Sequence, residues 1–95
     1  MASGVGSATL DFGAFPGSNE ASVTFSDASV STTSGVEAYV MGGDTTADHT
    51  ADDHKYFACF VGLSASPTNG VGGTIYARSE HKLQGTFKVR YVWAD

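Results

Sequence analysis

Along most of the chain apolar and polar side chains alternate, with breaks at Gly, Pro, Asn, Asp or Ser at intervals of roughly ten to fifteen residues. In "ATLDF" Ala8, Leu10 and Phe12 share one face while Thr9 and Asp11 take the other. In "ASVTFSD" Ala21, Val23 and Phe25 point one way and Ser22, Thr24 and Ser26 the other. A period of two marks a half-buried strand, because successive side chains leave opposite faces of a pleated backbone. "VEAYVMG", "KYFACFVGL", "GTIYARS" and "GTFKVRYVWA" continue the series. The last is the clearest, with Phe87, Val89, Tyr91 and Trp93 on one side and Thr86, Lys88 and Arg90 on the other. A helix would scatter those aromatic rings around its circumference. Residues 56–63 are apolar on both faces, which predicts a central strand or one covered by a neighbouring chain. No apolar stripe at helical spacing runs beyond about two turns, so almost no helix is expected.

The connections fit this reading. Pro16-Gly17 and Asn69-Gly70 are turn dipeptides, "SASPTNGVGG" reads as a tight loop, and Val30 within "SDASVSTTSG" marks a candidate further short strand. The expected fold is all-β: a small antiparallel β-sandwich or barrel of six to seven strands, with the sandwich favoured. One domain spans 1–95, and residues 1–7, "MASGVGS", are expected as a flexible N-terminal arm that orders on docking.

Composition narrows the function classes. A chain of 95 residues supports one modest core. Charged residues make up only 16% and Gly numbers 12, which suits a turn-rich β domain better than a helical bundle. The net charge of -5 lacks the basic footprint that phosphate backbones require, so no nucleic-acid partner is expected. Cys59 is the only cysteine, which excludes an internal disulfide and a thiolate zinc cluster; its apolar neighbours predict a buried, reduced thiol. The longest apolar run is far short of the ~20 residues that cross a bilayer, and no membrane partner is expected. The first ten residues lack the basic and apolar segments of a signal peptide, so synthesis in a cytoplasm is expected.

The conspicuous chemistry lies in "DTTADHTADDHKY", residues 44–56, which gathers Asp44, Asp48, His49, Asp52, Asp53 and His54. His49 and Asp53 are four apart and would meet on a helix face, but the stretch lacks both the paired histidines of a helical zinc protease and the glycine and glutamate of a calcium-binding hand. Asp and Thr bond readily to nearby amides, so the stretch is read as one helical turn or consecutive Asx-type turns, with His49, Asp53 and His54 holding its shape or meeting a neighbouring subunit. No G-x-S-x-G elbow is present, "NGVGG" lacks the lysine of a phosphate loop, and nothing singles out a carboxylate pair from Glu20, Glu37, Asp52, Asp53 and Glu80. The expectation is a protein that is not an enzyme, with no catalytic, cofactor-binding or metal residues and no cofactor. Tyr39, Tyr56, Tyr76, Tyr91 and Trp93 are read mainly as core or interface, with a sugar-stacking platform as the alternative. Arg78, Lys82, Lys88 and Arg90 are placed to face the acidic stretch of a neighbouring subunit.

The strings "LDFGAFPGSNEASVTF", "VEAYVM", "TADHTADDH" and "GTIYARSEHKLQGTFKVRYVWAD" resemble a group of small proteins encoded by tailed bacteriophages and prophages. In that group D-F-G-x-x-P-G, A-D-H-x-x-D-x-H, T-I-Y-A/G-R and F-x-V-x-x-V-W recur in this order, and the likeness runs from about Leu10 to Trp93. The resemblance implies a virion structural protein. Its most direct form is a capsid decoration or cement protein that forms a homo-oligomer, with a trimer favoured. It would bridge neighbouring subunits of the major capsid protein or another virion protein. The alternative form is a tail-fibre or host-surface (glycan) binding module.

Overall fold

The computed structural model describes residues 3–14 and 16–95. Among them are six strands and one helix in the order β1 (Ser3–Asp11), β2 (Ser18–Ser26), β3 (Gly35–Tyr39), α1 (Ala51–Phe60), β4 (Val61–Thr68), β5 (Gly72–Leu83) and β6 (Thr86–Ala94). Two antiparallel three-stranded sheets, β1-β6-β3 and β2-β5-β4, pack face to face as a sandwich. The chain passes from one sheet to the other at each connection except the β4–β5 hairpin, which turns at Asn69-Gly70 with Gly70 at φ 71°.

The alternation places the inward faces as expected. Leu10, Phe25, Ile75, Ala77, Phe87, Val89, Tyr91 and Trp93 are buried, and Ala8, Ala21 and Val23 pack against them. Small and large residues complement each other across the strands. Along the β1/β6 ladder the inward pairs run Gly4–Trp93, Gly6–Tyr91, Ala8–Val89 and Leu10–Phe87. The missing side chains of Gly4 and Gly6 leave the room that the Trp93 and Tyr91 rings occupy. A Cβ on Gly4 would stand 2.5 Å from the Trp93 indole nitrogen. In the second sheet Gly73 lies beside Phe25 in the same way. Phe25 stacks on Tyr91 with centroids 3.9 Å apart, joining the two sheets. The indole N–H of Trp93 donates to Asp27 at 3.0 Å, which satisfies the polar atom of this buried ring.

Four expectations change. Residues 3–7, expected within an arm, are the first half of β1 and pair with Arg90–Ala94; Met1 and Ala2 lie outside the described residues. Glycine contributes nothing to a hydrophobic pattern, yet its absent side chain is what admits the aromatic partners. Residues 51–60, expected to lead into or form a strand, are α1, so the apolar run 56–63 is divided between helix and β4. Pro67, read as part of a loop, belongs to β4, an edge strand whose outer rim tolerates the missing N–H. Val30 is in no strand: it is a buried plug in the β2–β3 loop, with its N–H donating to Asp27 and its carbonyl accepting from Gly70.

Gly6→Val is expected to destabilise the fold by about 1–3 kcal/mol through overpacking against Tyr91. Gly43→Ala, where an added Cβ meets nothing within 4 Å, should stay within about 0.5 kcal/mol of the parent. Chemical denaturation of both variants checks the contrast.

Candidate functional site

Strand β3 ends where Tyr39 faces Arg90, so β6 runs on toward Thr86 with β1 on one side only. On the other side the 44–54 segment takes the place of a strand, using side chains. The Lys88 N–H donates to His54 Nε2 at 2.9 Å. The Thr86 N–H and hydroxyl both donate to Asp48 Oδ2 at 2.8 Å, and the Thr86 carbonyl accepts from the Thr46 hydroxyl at 2.7 Å. One step further along, Arg90 donates from Nε and Nη2 to the two oxygens of Asp44 at 3.0 and 2.8 Å. Such bidentate, charge-assisted geometry is the strong form of an Arg–carboxylate contact.

The segment is shaped by local chemistry. Thr46 Oγ1 accepts from the backbone N–H groups of Asp48 and His49, folding the chain back. Thr50 then caps α1: its hydroxyl oxygen accepts from the Asp53 N–H while the Asp53 carboxylate accepts from the Thr50 N–H, both at 3.3 Å. This reciprocal box satisfies two otherwise orphan donors, and Asp52 and Asp53 complement the positive end of the helix. From that start His54 and Phe57 fall on the buried face, while Tyr56 and Cys59 point to solvent. Cys59 is thus exposed rather than buried, because the period there is helical and not two.

His54 is fully buried. Since Nε2 accepts from Lys88, its hydrogen belongs on Nδ1, which donates to the Thr50 carbonyl at 2.9 Å. His49 has a different environment. Its Nε2 lies 2.7 Å from the Gln84 carbonyl and its Nδ1 3.1 Å from Asp53, so both nitrogens face acceptors. The two imidazoles meet on Phe87. His49 stacks on that ring at 3.9 Å and Phe57 at 4.2 Å, while His54 and Phe12 approach at 5.4 and 5.9 Å with steeply inclined planes.

Three carboxyls here are held below the ordinary carboxylate value of 3.8. For Asp44 the main cause is the Arg90 hydrogen bond, for Asp48 the hydroxyl and N–H of Thr86, and for Asp53 the His49 ring. Arg90 is raised reciprocally by Asp44. Each ionised form is therefore used to hold the fold. Among the described residues no three His, Cys, Asp or Glu side chains converge in a way that could hold a metal ion.

The remaining candidates are dispersed. Tyr91 and Trp93 are in the core, whereas Tyr39, Tyr56 and Tyr76 are exposed on β3, α1 and β5, so the five rings form no single platform. Glu20 pairs with Arg78 across β2 and β5, Asp52 with Lys55 on α1, and Glu37 and Glu80 lie on β3 and β5. Arg90, expected to face a neighbour's acids, binds the acidic stretch of its own chain. Phe87 as the common support, and Thr46 as the residue that folds the segment onto β6, were not singled out from sequence. The cap was written there: Thr50-x-x-Asp53 ahead of an apolar run is a helix-start signature.

No protein-family model, curated protein or solved structure matches this chain.

His54→Ala should cost about 2–4 kcal/mol, since it leaves the Lys88 N–H unpaired and opens a cavity beside Phe87. His54→Gln should recover part of the loss through its amide oxygen, and a chelator should change neither midpoint; denaturation curves with and without EDTA check this. Acid should act through the carboxyls. A carboxyl with a lowered folded value binds a proton less readily in the folded chain than in the unfolded one. Its stabilisation is therefore complete above the unfolded value near 3.8 and is lost as pH falls through the folded value. The thermal midpoint contributed by these groups should be level from about pH 7 to about pH 5 and fall below about pH 4. Asp44→Asn and Asp48→Asn should each lower the midpoint at neutral pH and reduce that fall, as read by calorimetry across the range.

Proposed function

We propose that this chain is a structural protein of a bacteriophage virion, a non-enzymatic capsid decoration or cement protein that acts as a homo-oligomer, with a trimer favoured, and bridges neighbouring shell subunits. The observation that carries this reading is the use of the acid and imidazole cluster. Asp44, Asp48 and His54 are spent on bonds to β6, and His49, Asp53 and Asp52 on the Gln84 carbonyl, the helix cap and Lys55, so interaction with other molecules falls to the sheet faces and edges. The resemblance of the quoted strings to small phage proteins points to the same assignment.

The outer face of the β1-β6-β3 sheet suits such contacts. Val5 is 78% exposed and lies across from Val92, and Tyr39 is exposed on the same face, with Met41 exposed in the loop just beyond it. Apolar groups presented on a rigid sheet gain by burial against a partner, and many copies on a closed shell sum small contributions into a large one. Mass action then stabilises both the shell and the bound domain. A rigid sandwich transmits load between its contacts without rearranging, which is what a bridging element requires.

Cryo-electron microscopy of the particle tests the assignment, with density for the sandwich expected on the outer capsid surface at symmetry-related positions. Val5→Thr, which keeps a β-branched residue opposite Val92, should reduce particle occupancy while changing the stability of the isolated chain by less than about 0.5 kcal/mol. Absence of the chain from purified virions removes the proposal.

A further inference from the structure

The opposite face of the sandwich carries a different kind of surface. On the outside of the β2-β5-β4 sheet a depression of about 560 Å³ is lined by Glu20, Ser22, Gly62, Ser64, Tyr76 and Arg78. Strand register explains its shape. Tyr76, on the central strand, has Ser22 directly across on β2 and Ser64 directly across on β4. Both neighbours are short, so the ring stands free and 48% exposed. In the next row Arg78 lies between Glu20 and Gly62. Gly62 leaves the β4 side open, and Arg78 is drawn to the other side, where its Nε donates to Glu20 Oε1 at 2.8 Å and its Nη2 donates to the same oxygen.

We infer that this depression is a binding site for a neutral hexopyranoside, such as a terminal sugar of a surface glycan. An exposed tyrosine ring offers a flat apolar face of the kind that packs on the C–H face of a pyranose. Two residues along the strand, roughly 7 Å away, the guanidinium supplies donors and the carboxylate supplies acceptors. A vicinal pair of sugar hydroxyls, each both donor and acceptor, matches that fork. Ser22 and Ser64 add hydroxyls on either side of the ring. The charge balance selects the neutral class. Arg78 is already compensated by Glu20, and the chain carries a net charge of -5, so an anionic sugar or a phosphate gains no attraction here. The volume lies within the range of small-molecule sites. This inference does not depend on the particle assignment, because it concerns the sheet face turned away from Val5.

The test is a titration of the isotope-labelled chain, followed by amide shifts, with methyl glucoside, methyl galactoside, methyl mannoside, methyl N-acetylglucosaminide, lactose and cellobiose. Probes up to about 20 mM cover millimolar affinities. Glucose 6-phosphate and N-acetylneuraminic acid serve as anionic comparators. At least one neutral probe should give saturable shifts confined to the surroundings of Tyr76, Arg78, Glu20, Ser22 and Ser64. Tyr76→Ala should weaken that binding by at least roughly tenfold. Gly62→Gln should do the same by filling the depression, since a Cβ there meets only the Arg78 carbonyl at 3.8 Å and the fold accommodates it. Saturable shifts lost in both variants, each with an unchanged thermal midpoint, support the site; loss in Gly62→Gln alone suffices if Tyr76→Ala does not fold. The inference is overturned if no neutral probe saturates, if folded variants bind as the parent does, or if an anionic comparator binds more tightly.

Discussion

A stretch of β6 backbone left open by the end of β3 governs the arrangement of residues 44–60. Once β3 has ended at Tyr39, the Lys88 N–H and both backbone polar groups of Thr86 still need partners. Thr86 and Lys88 are half-buried, so partners for these groups keep polar backbone at the sheet edge from being shut away from water unpaired, which costs up to about 1–3 kcal/mol for a fully buried amide. The 44–54 segment meets that need with His54, Asp48 and Thr46, so residues that look like reagents serve as a strand. Each of those side chains must in turn be fixed. The Thr46 fold-back, the Thr50–Asp53 box and the helix that follows it are the means.

Phe87 ties this polar arrangement to the core. It lies between the rings of His49 and Phe57 while its own strand carries the backbone that His54 and Asp48 serve. Hydrogen bonding and apolar packing therefore reinforce each other at one place. The two imidazoles illustrate how environment assigns different tasks to one residue type. His54, facing one donor and one acceptor, is a fixed link in a dry interior, whereas His49, facing two acceptors at the rim, bridges the segment to the β5–β6 turn.

Where a side chain had to choose between inside and outside, the sequence was readable. Leu10, Phe25, Val89 and Trp93 lie on the faces that alternation assigns, and five of the six strands carry that pattern, whereas most of β4 lies in the stretch read as a loop. Two kinds of information were less legible. Gly4 and Gly6 act by what they lack, which only their partners across the ladder reveal. In α1 the run from Tyr56 to Phe60 has strand-like composition, and the helix is decided by its cap and by the single spacing of His54 and Phe57 against the core. The acid and imidazole cluster was legible as a shaped connection, including the His49–Asp53 contact at four-residue spacing. Its register against β6 was not, because a side chain that replaces a strand leaves no periodic trace.

The pairing of β1 with β6 joins Ser3 to Ala94, nearly the whole length of the chain apart. During synthesis the β4–β5 hairpin can close as soon as it emerges, whereas the first sheet must wait for β6, its central strand and the last made. Such non-local pairing is slow to nucleate, and β1 and β3 spend that interval with their edges open to other chains. The same pairing brings both ends of the described chain out side by side at the Trp93 end of the sandwich, away from α1. Ser3 and Ala94 therefore share one end of the sandwich, at the end of the β1/β6 ladder and clear of both outer sheet faces.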